Sequence, residues 1–313
     1  MRTSSLNPAA ILERLHLGAH SAEQGPLPPA LDAEVRHLDT WSAGRLAYYV
    51  DTRGGGRPVV LLHAVDAAAS SREMAPLFEA LRRERPVYAL DLPGFGLSDR
   101  AERTYDVALF RSAVRRFLTD VVRAPDGVDV IALSLSSEFA AAVACEDKTL
   151  VHSLTLISPT GLRHDLNGAS AILRVASHVP LVAEGLFRLI GSRPSVRWFL
   201  GKSFQGEPDR DLLEYSVRTA AAPGARHAPL AFISGDLFTD GAFERLYVPL
   251  TVPTLVVYDS DPYTSFERLD ELVKRNPHVV TERIAPTRGL PHFEQRGAVV
   301  AAVKKFWAQF DLT

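Results

Sequence analysis

The chain has 313 residues, 46% of them hydrophobic and 23% charged, with 35 basic and 37 acidic side chains for a formal net charge of −2. That balance belongs to a globular protein and excludes a disordered chain, a disulfide-built scaffold, and a basic surface for nucleic acid or membrane. At roughly 100–200 residues per domain, the length allows one large α/β domain with an insertion, or two smaller domains.

In chain order, the first thirty residues are interrupted by Glu13, Arg14, His16, His20 and Glu23 and lack the apolar core of a signal peptide. No later window approaches the roughly 20 apolar residues of a membrane span, so a cytoplasmic location is expected. Residues 1–44 read as an N-terminal extension with a short helix near Pro8 to Leu17 and a Gly/Pro stretch at Gly25 to Pro29. From Arg45 onward, short apolar and β-branched runs predict strands at Leu46 to Val50, Val59 to His63, Val87 to Asp91, Val128 to Leu133 and Leu154 to Ser158. Two more are predicted at Thr254 to Tyr258 and Val279 to Ile284.

Segments of helical period lie between them, at Ser71 to Arg83, Val107 to Val122, Ser136 to Cys145, Phe266 to Arg275 and Val299 to Phe310. This alternation predicts a mostly parallel sheet with helices on both faces. The turn residues Thr52 to Gly56 predict an antiparallel hairpin between the first two strands. Cys145, the only cysteine, permits no intramolecular disulfide or thiolate metal site and reads as a small buried hydrophobe. Between 161 and 250 no strand is evident. Helical stretches at Ala169 to Ser177, Leu181 to Ile190, Ser195 to Leu200 and Asp209 to Thr219 predict a helical lid there, with the core at 45–160 and 251–313.

In an open parallel sheet, ligands bind beyond the carboxyl ends of the strands. Three such ends carry a pattern. Val128 to Leu133 runs into Ser134 and then a helix, with the small residues Ala132 and Ser136 two positions either side of the serine. A strained turn of this kind lifts a hydroxyl above the sheet as a nucleophile, while the competing reading is a serine that caps the helix. Glu138, in the first helical turn, complements the helix dipole. The second end is His63-Ala64-Val65-Asp66, and the third is Asp91-Leu-Pro93-Gly94-Phe-Gly96-Leu-Ser98.

These segments, in this order, resemble the α/β-hydrolase fold family over roughly Leu46 to Phe310, with a lid after the sixth core strand. The resemblance implies that the N–H groups of Leu135 and of Ala64 or Val65 form an oxyanion hole, with His63 and Asp66 in support. A serine hydrolase also needs a base and an acid that orients it, which this family places in the order Ser, Asp or Glu, His. Asp261, before Pro262, is the expected acid, with Asp259 in reserve. Relatives read G-H-x-P-x-x-E after the last strand, whereas this chain reads Arg288-Gly289-Leu290-Pro291-His292-Phe293-Glu294, so the usual base position is Gly289 or is deleted. His278 precedes the strand and belongs to the wrong edge. His292 is the candidate base, and a capping or lid-facing role is the alternative.

His164, His178 and His227 show no ligand spacing, so no metal site is expected. Gly94-Phe-Gly96 does not continue as a nucleotide loop, and no cofactor is expected. The expected function is a serine hydrolase forming an acyl-enzyme on Ser134 with a small, largely apolar ester, thioester or related acyl compound. Lid residues such as Leu181, Val182, Leu186, Phe187, Leu189, Trp198, Phe199, Phe204, Phe232 and Phe238 supply an apolar wall or bind the lid to the core. A degenerate binder of an apolar ligand or partner, or a lyase or isomerase, is the alternative. The oligomeric state is not read from the sequence.

Overall fold

The computed structural model describes residues 25–163 and 180–309. The expected helices at Pro8 to Leu17 and Ala169 to Ser177, together with His164 and His178, lie outside the described residues. Eight strands form one sheet: β1 (Glu34–Thr40), β2 (Gly44–Asp51), β3 (Val59–Leu62), β4 (Val87–Leu90), β5 (Val128–Leu133), β6 (Val151–Ile157), β7 (Thr254–Ser260) and β8 (Val279–Arg288). Their spatial order is β1-β2-β4-β3-β5-β6-β7-β8. Pairs β1/β2 and β2/β4 are antiparallel and all the others parallel.

Two sequence expectations are corrected here. The hairpin joins β1 to β2 through Thr40–Gly44, and β3 instead lies between β4 and β5. All four residues of β3, Val-Val-Leu-Leu, are buried, which demands a central place with cover on both faces. The expected extension therefore ends too late, because β1 lies within residues 1–44 and is part of the sheet. Its sequence, Glu-Val-Arg-His-Leu-Asp-Thr, is polar and mostly exposed, as suits an edge strand that must resist further pairing. The Ala30 N–H also donates to the Tyr49 hydroxyl at 2.8 Å, so this segment is pinned to the core.

Period-two alternation divides the strand side chains between two cores. Val60, Leu62, Val130, Ala132 and Leu156 pack with α2 (Val107–Arg116) and α3 (Ser136–Glu146). Val59, Leu61, Ile131, Leu133 and Val257 pack on the other face, beside α1 (Ala75–Leu81) and the C-terminal helix Arg296–Trp307. Helix α2 begins where the Asp106 carboxylate accepts from the Leu109 N–H, a side-chain cap on an otherwise orphaned donor. Cys145, expected to be buried, is exposed near the end of α3, with its thiol donating to the Leu246 carbonyl.

Between β6 and β7 come α4 (Pro180–Ile190), α5 (Arg193–Lys202), α6 (Arg210–Ala220) and α7 (His227–Ser234). The last of these was not legible in the sequence: its segment, His-Ala-Pro-Leu-Ala-Phe-Ile-Ser, is almost uniformly apolar and shows no helical stripe. The Arg100 guanidinium ties this region to the core by donating to the Thr219 carbonyl and hydroxyl at 2.7 and 2.9 Å and to the Gly96 carbonyl. After β7 come α8 (Leu269–Arg275) and, beyond β8, a four-residue helix at Pro291–Glu294, followed by α9 (Arg296–Trp307). Among the described residues, no helix is long and apolar enough to cross a membrane.

Candidate active site

A cavity of about 270 Å³ opens beyond the carboxyl ends of β3, β5 and β7, under α4 to α7. Ser134 lies on its wall with φ of +54°, a left-handed conformation that costs a residue with a side chain about 1–2 kcal/mol. The turn is held because the Ser134 N–H donates to the Ile157 carbonyl, while its own carbonyl accepts from the Ser137 N–H. Ala132 and Ser136 preserve this backbone. Ala132 is fully buried, and the Ser136 hydroxyl, also buried, hydrogen-bonds the Leu133 main chain and the Leu62 carbonyl. Helix α3 has Leu135 as its N-cap and no side-chain cap, so neither serine is a capping residue.

Two other segments singled out in the sequence brace each other, and of them Ala64, Val65 and Asp66 border the cavity. In the Asp91 to Ser98 stretch, the Asp91 carboxylate accepts from the N–H groups of Ser71 and Leu97, both at 2.8 Å. Gly96 permits this at φ +52°, since a β-carbon there would stand 2.1 Å from that carboxylate. His63 is fully buried: its Nδ1–H donates to the Ala64 carbonyl and its Nε2 accepts from the Leu92 N–H. Burial pushes this imidazole down to about 4, so it is a neutral brace that joins the two loops.

The oxyanion-hole expectation is partly corrected. The Ala64 N–H is already committed to the Glu73 carboxylate at 2.8 Å, which removes it as a donor to substrate. The N–H groups of Val65 and Leu135 make no hydrogen bond among the described residues, and Val65 borders the cavity. Asp66 also borders it, open to that space, with Oδ1 accepting from the Ala68 N–H at 2.7 Å.

Asp261 reaches the cavity, with Oδ1 accepting from the N–H groups of Tyr263 and Thr264 at 2.7 and 3.1 Å. Burial raises its pKa, and those two N–H groups restrain the rise. Asp259 is engaged elsewhere, paired with Arg283 and accepting from the Thr287 N–H. Burial alone would raise its pKa, but these partners outweigh it and lower it.

His292 does not join Ser134 and Asp261, which corrects the expected triad. The chain leaves β8 at Arg288, and the short Pro291–Glu294 helix turns His292 into the core behind the residues before α1. There it is fully buried, its Nε2–H donates to the Glu73 carbonyl at 2.7 Å, and it does not border the cavity. Burial pushes its pKa down to about 4. Gly289 does border the cavity, and a β-carbon built on it would lie 3.1 Å from Asp261 Oδ2 and 3.4 Å from the Ser203 hydroxyl. The place beside the acid is thus held by a residue without a side chain. His278 sits at the opposite end of the sheet, where its carbonyl accepts from the Thr254 N–H.

Sequence reasoning missed Glu73. It looks like an ordinary charge on a helix start, yet it is buried, borders the cavity and braces both Ala64 and His292. Burial and the nearby Asp66 charge push its carboxyl well above the usual range, against the pull of the Ala64 N–H. From the expected apolar wall, Phe199 and Phe232 line the cavity, whereas Phe187 and Phe204 are buried in packing. Trp198, Leu189 and Phe238 are largely exposed. Ile190, Val196, Leu200 and Ile233 complete the wall. Among the described residues, no group of three His, Cys, Asp or Glu could hold a metal ion.

Glu138 has a different task from helix-dipole compensation alone. Its buried carboxylate accepts from the Thr160 hydroxyl after β6 and from the Thr239 N–H after α7. Glu138→Ala is expected to lower stability by about 1–3 kcal/mol by orphaning both donors, with Glu138→Gln recovering part of it. Urea unfolding of the three proteins is the check, and an unchanged midpoint in the alanine variant would rule out this bridging role.

Residues 59–303 match a family model described as the alpha/beta hydrolase family. No curated protein matches the chain. Similar solved structures include a serine hydrolase involved in carbazole degradation, 19% identical, covering 88% of this chain and 99% of that one, with a TM-score of 0.72. An enol-lactonase from Burkholderia xenovorans LB400 is 16% identical over 84% of this chain and 96% of that one, at 0.65. The epoxide hydrolase CorEH is 19% identical over 88% and 99%, at 0.68. Identities this low establish the shared fold and leave the chemistry to each protein's own site. With the family model spanning most of the chain, and with this sheet and serine turn, the protein belongs to the alpha/beta hydrolase family.

Proposed function

We propose that the protein takes a small, largely apolar ester, thioester or related acyl compound into the cavity and forms an acyl-enzyme on Ser134. The carrying observation is Ser134 itself: a left-handed turn holds its hydroxyl in a mostly apolar cavity, with no hydrogen bond to it among the described residues. The uncommitted N–H groups of Val65 and Leu135 support the reading, because an acyl carbonyl becoming an oxyanion needs such donors. Among the described residues that line the cavity there is no imidazole, so His292 has no part in this chemistry.

Covalent labelling by a fluorophosphonate, read by intact mass, tests the reading. The wild type is expected to gain one adduct slowly, and Ser134→Ala to gain none while keeping its stability within about 0.5 kcal/mol. An adduct that persists in Ser134→Ala, or a variant that unfolds, would remove Ser134 as the nucleophile. The lack of an imidazole among the described residues that line the cavity favours one second reading, a binding protein that holds an apolar ligand without cleaving it. That reading expects tight retention of an unreacted ester and no adduct.

A further inference from the structure

The cavity is apolar over Phe199 and Phe232, yet it presents carboxyl oxygens that have no donor among the described residues. Asp261 Oδ1 is occupied by two N–H groups, but Oδ2 makes no hydrogen bond among the described residues and faces the space over Gly289. Glu73 is only 6% exposed and gives one oxygen to the Ala64 N–H, while the other has no partner among the described residues. A purely apolar ligand would leave both oxygens unsatisfied, at a cost of order 1–3 kcal/mol each. A ligand with a protonatable nitrogen would satisfy them.

The position of the gap makes this more than charge pairing. An orienting carboxylate, an empty notch and a serine share one cavity, which is the arrangement of nucleophile and orienter with no base among the described residues. Resting on the acyl-enzyme reading, we infer that the notch over Gly289 is a subsite for a basic nitrogen, an imidazole or amine brought by the ligand, which hydrogen-bonds Asp261 Oδ2 and accepts the Ser134 proton. The Ser134 Oγ bonds to the acyl carbon as its proton passes to that nitrogen. The carbonyl electron pair moves to oxygen, facing the N–H groups of Val65 and Leu135. Collapse expels the alcohol or thiol, which takes the proton from the nitrogen, and water then repeats the sequence to release the acid. The nitrogen must remain for that second half, so it belongs to the acyl portion of the substrate or to a separate small molecule, not to the leaving group.

The test measures the rate of fluorophosphonate labelling of the full chain at Ser134 across a titration of imidazole. Expected is a saturable acceleration of about 10²-fold, the scale of a positioned general base. It should be lost in Asp261→Asn and also in Gly289→Val, which fills the notch while keeping the carboxylate. Turnover of p-nitrophenyl imidazolylpropanoate and phenylpropanoate, each corrected with Ser134→Ala, separates the two sources. A faster imidazolyl ester points to nitrogen on the substrate, and rescue of the phenyl ester by free imidazole points to a separate base. Labelling that is independent of imidazole, or an acceleration that never saturates and survives in Asp261→Asn and Gly289→Val, overturns the subsite. If Gly289→His labels Ser134 while imidazole does nothing for the wild type, only the subsite fails. If neither labels it, the acyl-enzyme reading fails as well.

Discussion

Gly289→His is expected to accelerate acylation of Ser134 by about 10²–10⁴-fold, the usual contribution of a positioned general base. A β-carbon at this position would stand 3.1 Å from Asp261 Oδ2 and 3.4 Å from Ser203, so the neighbours need to give by only a few tenths of an ångström. Gly289 itself is not in the left-handed region, and a side chain there brings no backbone strain. The new ring would extend into a cavity of about 270 Å³, with one nitrogen directed at the carboxylate and the other at the serine. The measurement is the second-order rate of fluorophosphonate labelling, together with hydrolysis of p-nitrophenyl butyrate. Both should rise with pH as the imidazole loses its proton, near its ordinary value of about 6.5 or above it because Asp261 stabilises the charged form. A folded variant no faster than wild type would show that Ser134 and the notch are not aligned for proton transfer.

His292→Gln separates the structural histidine from a catalytic one. Gln places an N–H at similar reach, so the donation to the Glu73 carbonyl can be kept. The folded wild type holds this imidazole neutral, pushed down to about 4, whereas in the unfolded chain it titrates near 6.5. Between those values the unfolded state binds more protons, so the stability that depends on neutral His292 is complete above about pH 6.5 and is lost as the pH falls toward 4. The advantage of wild type over His292→Gln should therefore shrink by about 3 kcal/mol between pH 7 and pH 4 in urea titrations. Asp66, Glu73 and Asp261 are shifted upward and act in the opposite sense, which is why the difference between two proteins, rather than either curve alone, carries the prediction. Labelling of Ser134 should stay within about twofold of wild type, far below the 10² or more lost with a general base. A collapse of labelling in a folded His292→Gln would return this residue to the mechanism.

Much of the core was legible because burial leaves a periodic trace. Strands β2 to β7 are short, mostly apolar or β-branched runs, β8 opens on one at Val279 to Thr281, and alternation within β3 and β5 already divides the two cores. Strand β1 left no such trace, since an exposed edge is made of polar residues. The order of β3 and β4 was equally hidden, because crossover connections place a strand by packing rather than by the turn that follows it.

The sequence by itself determined a parallel α/β sheet, a serine at a strand-to-helix turn, an acidic residue after β7 and the absence of a histidine at position 289. Those are properties of residue type and spacing. Tertiary structure alone decided that Ser134, Asp261 and Gly289 border one cavity, and that Asp261 rather than Asp259 faces it. It also decided that Glu73 takes the Ala64 N–H and that His292 points into the core. Each of these depends on where a side chain is directed after a loop, and direction is set by contacts far apart in the chain: 219 residues separate His292 from the Glu73 carbonyl that holds it. No local pattern encodes such a partner, because the free energy that selects it comes from burying both groups together.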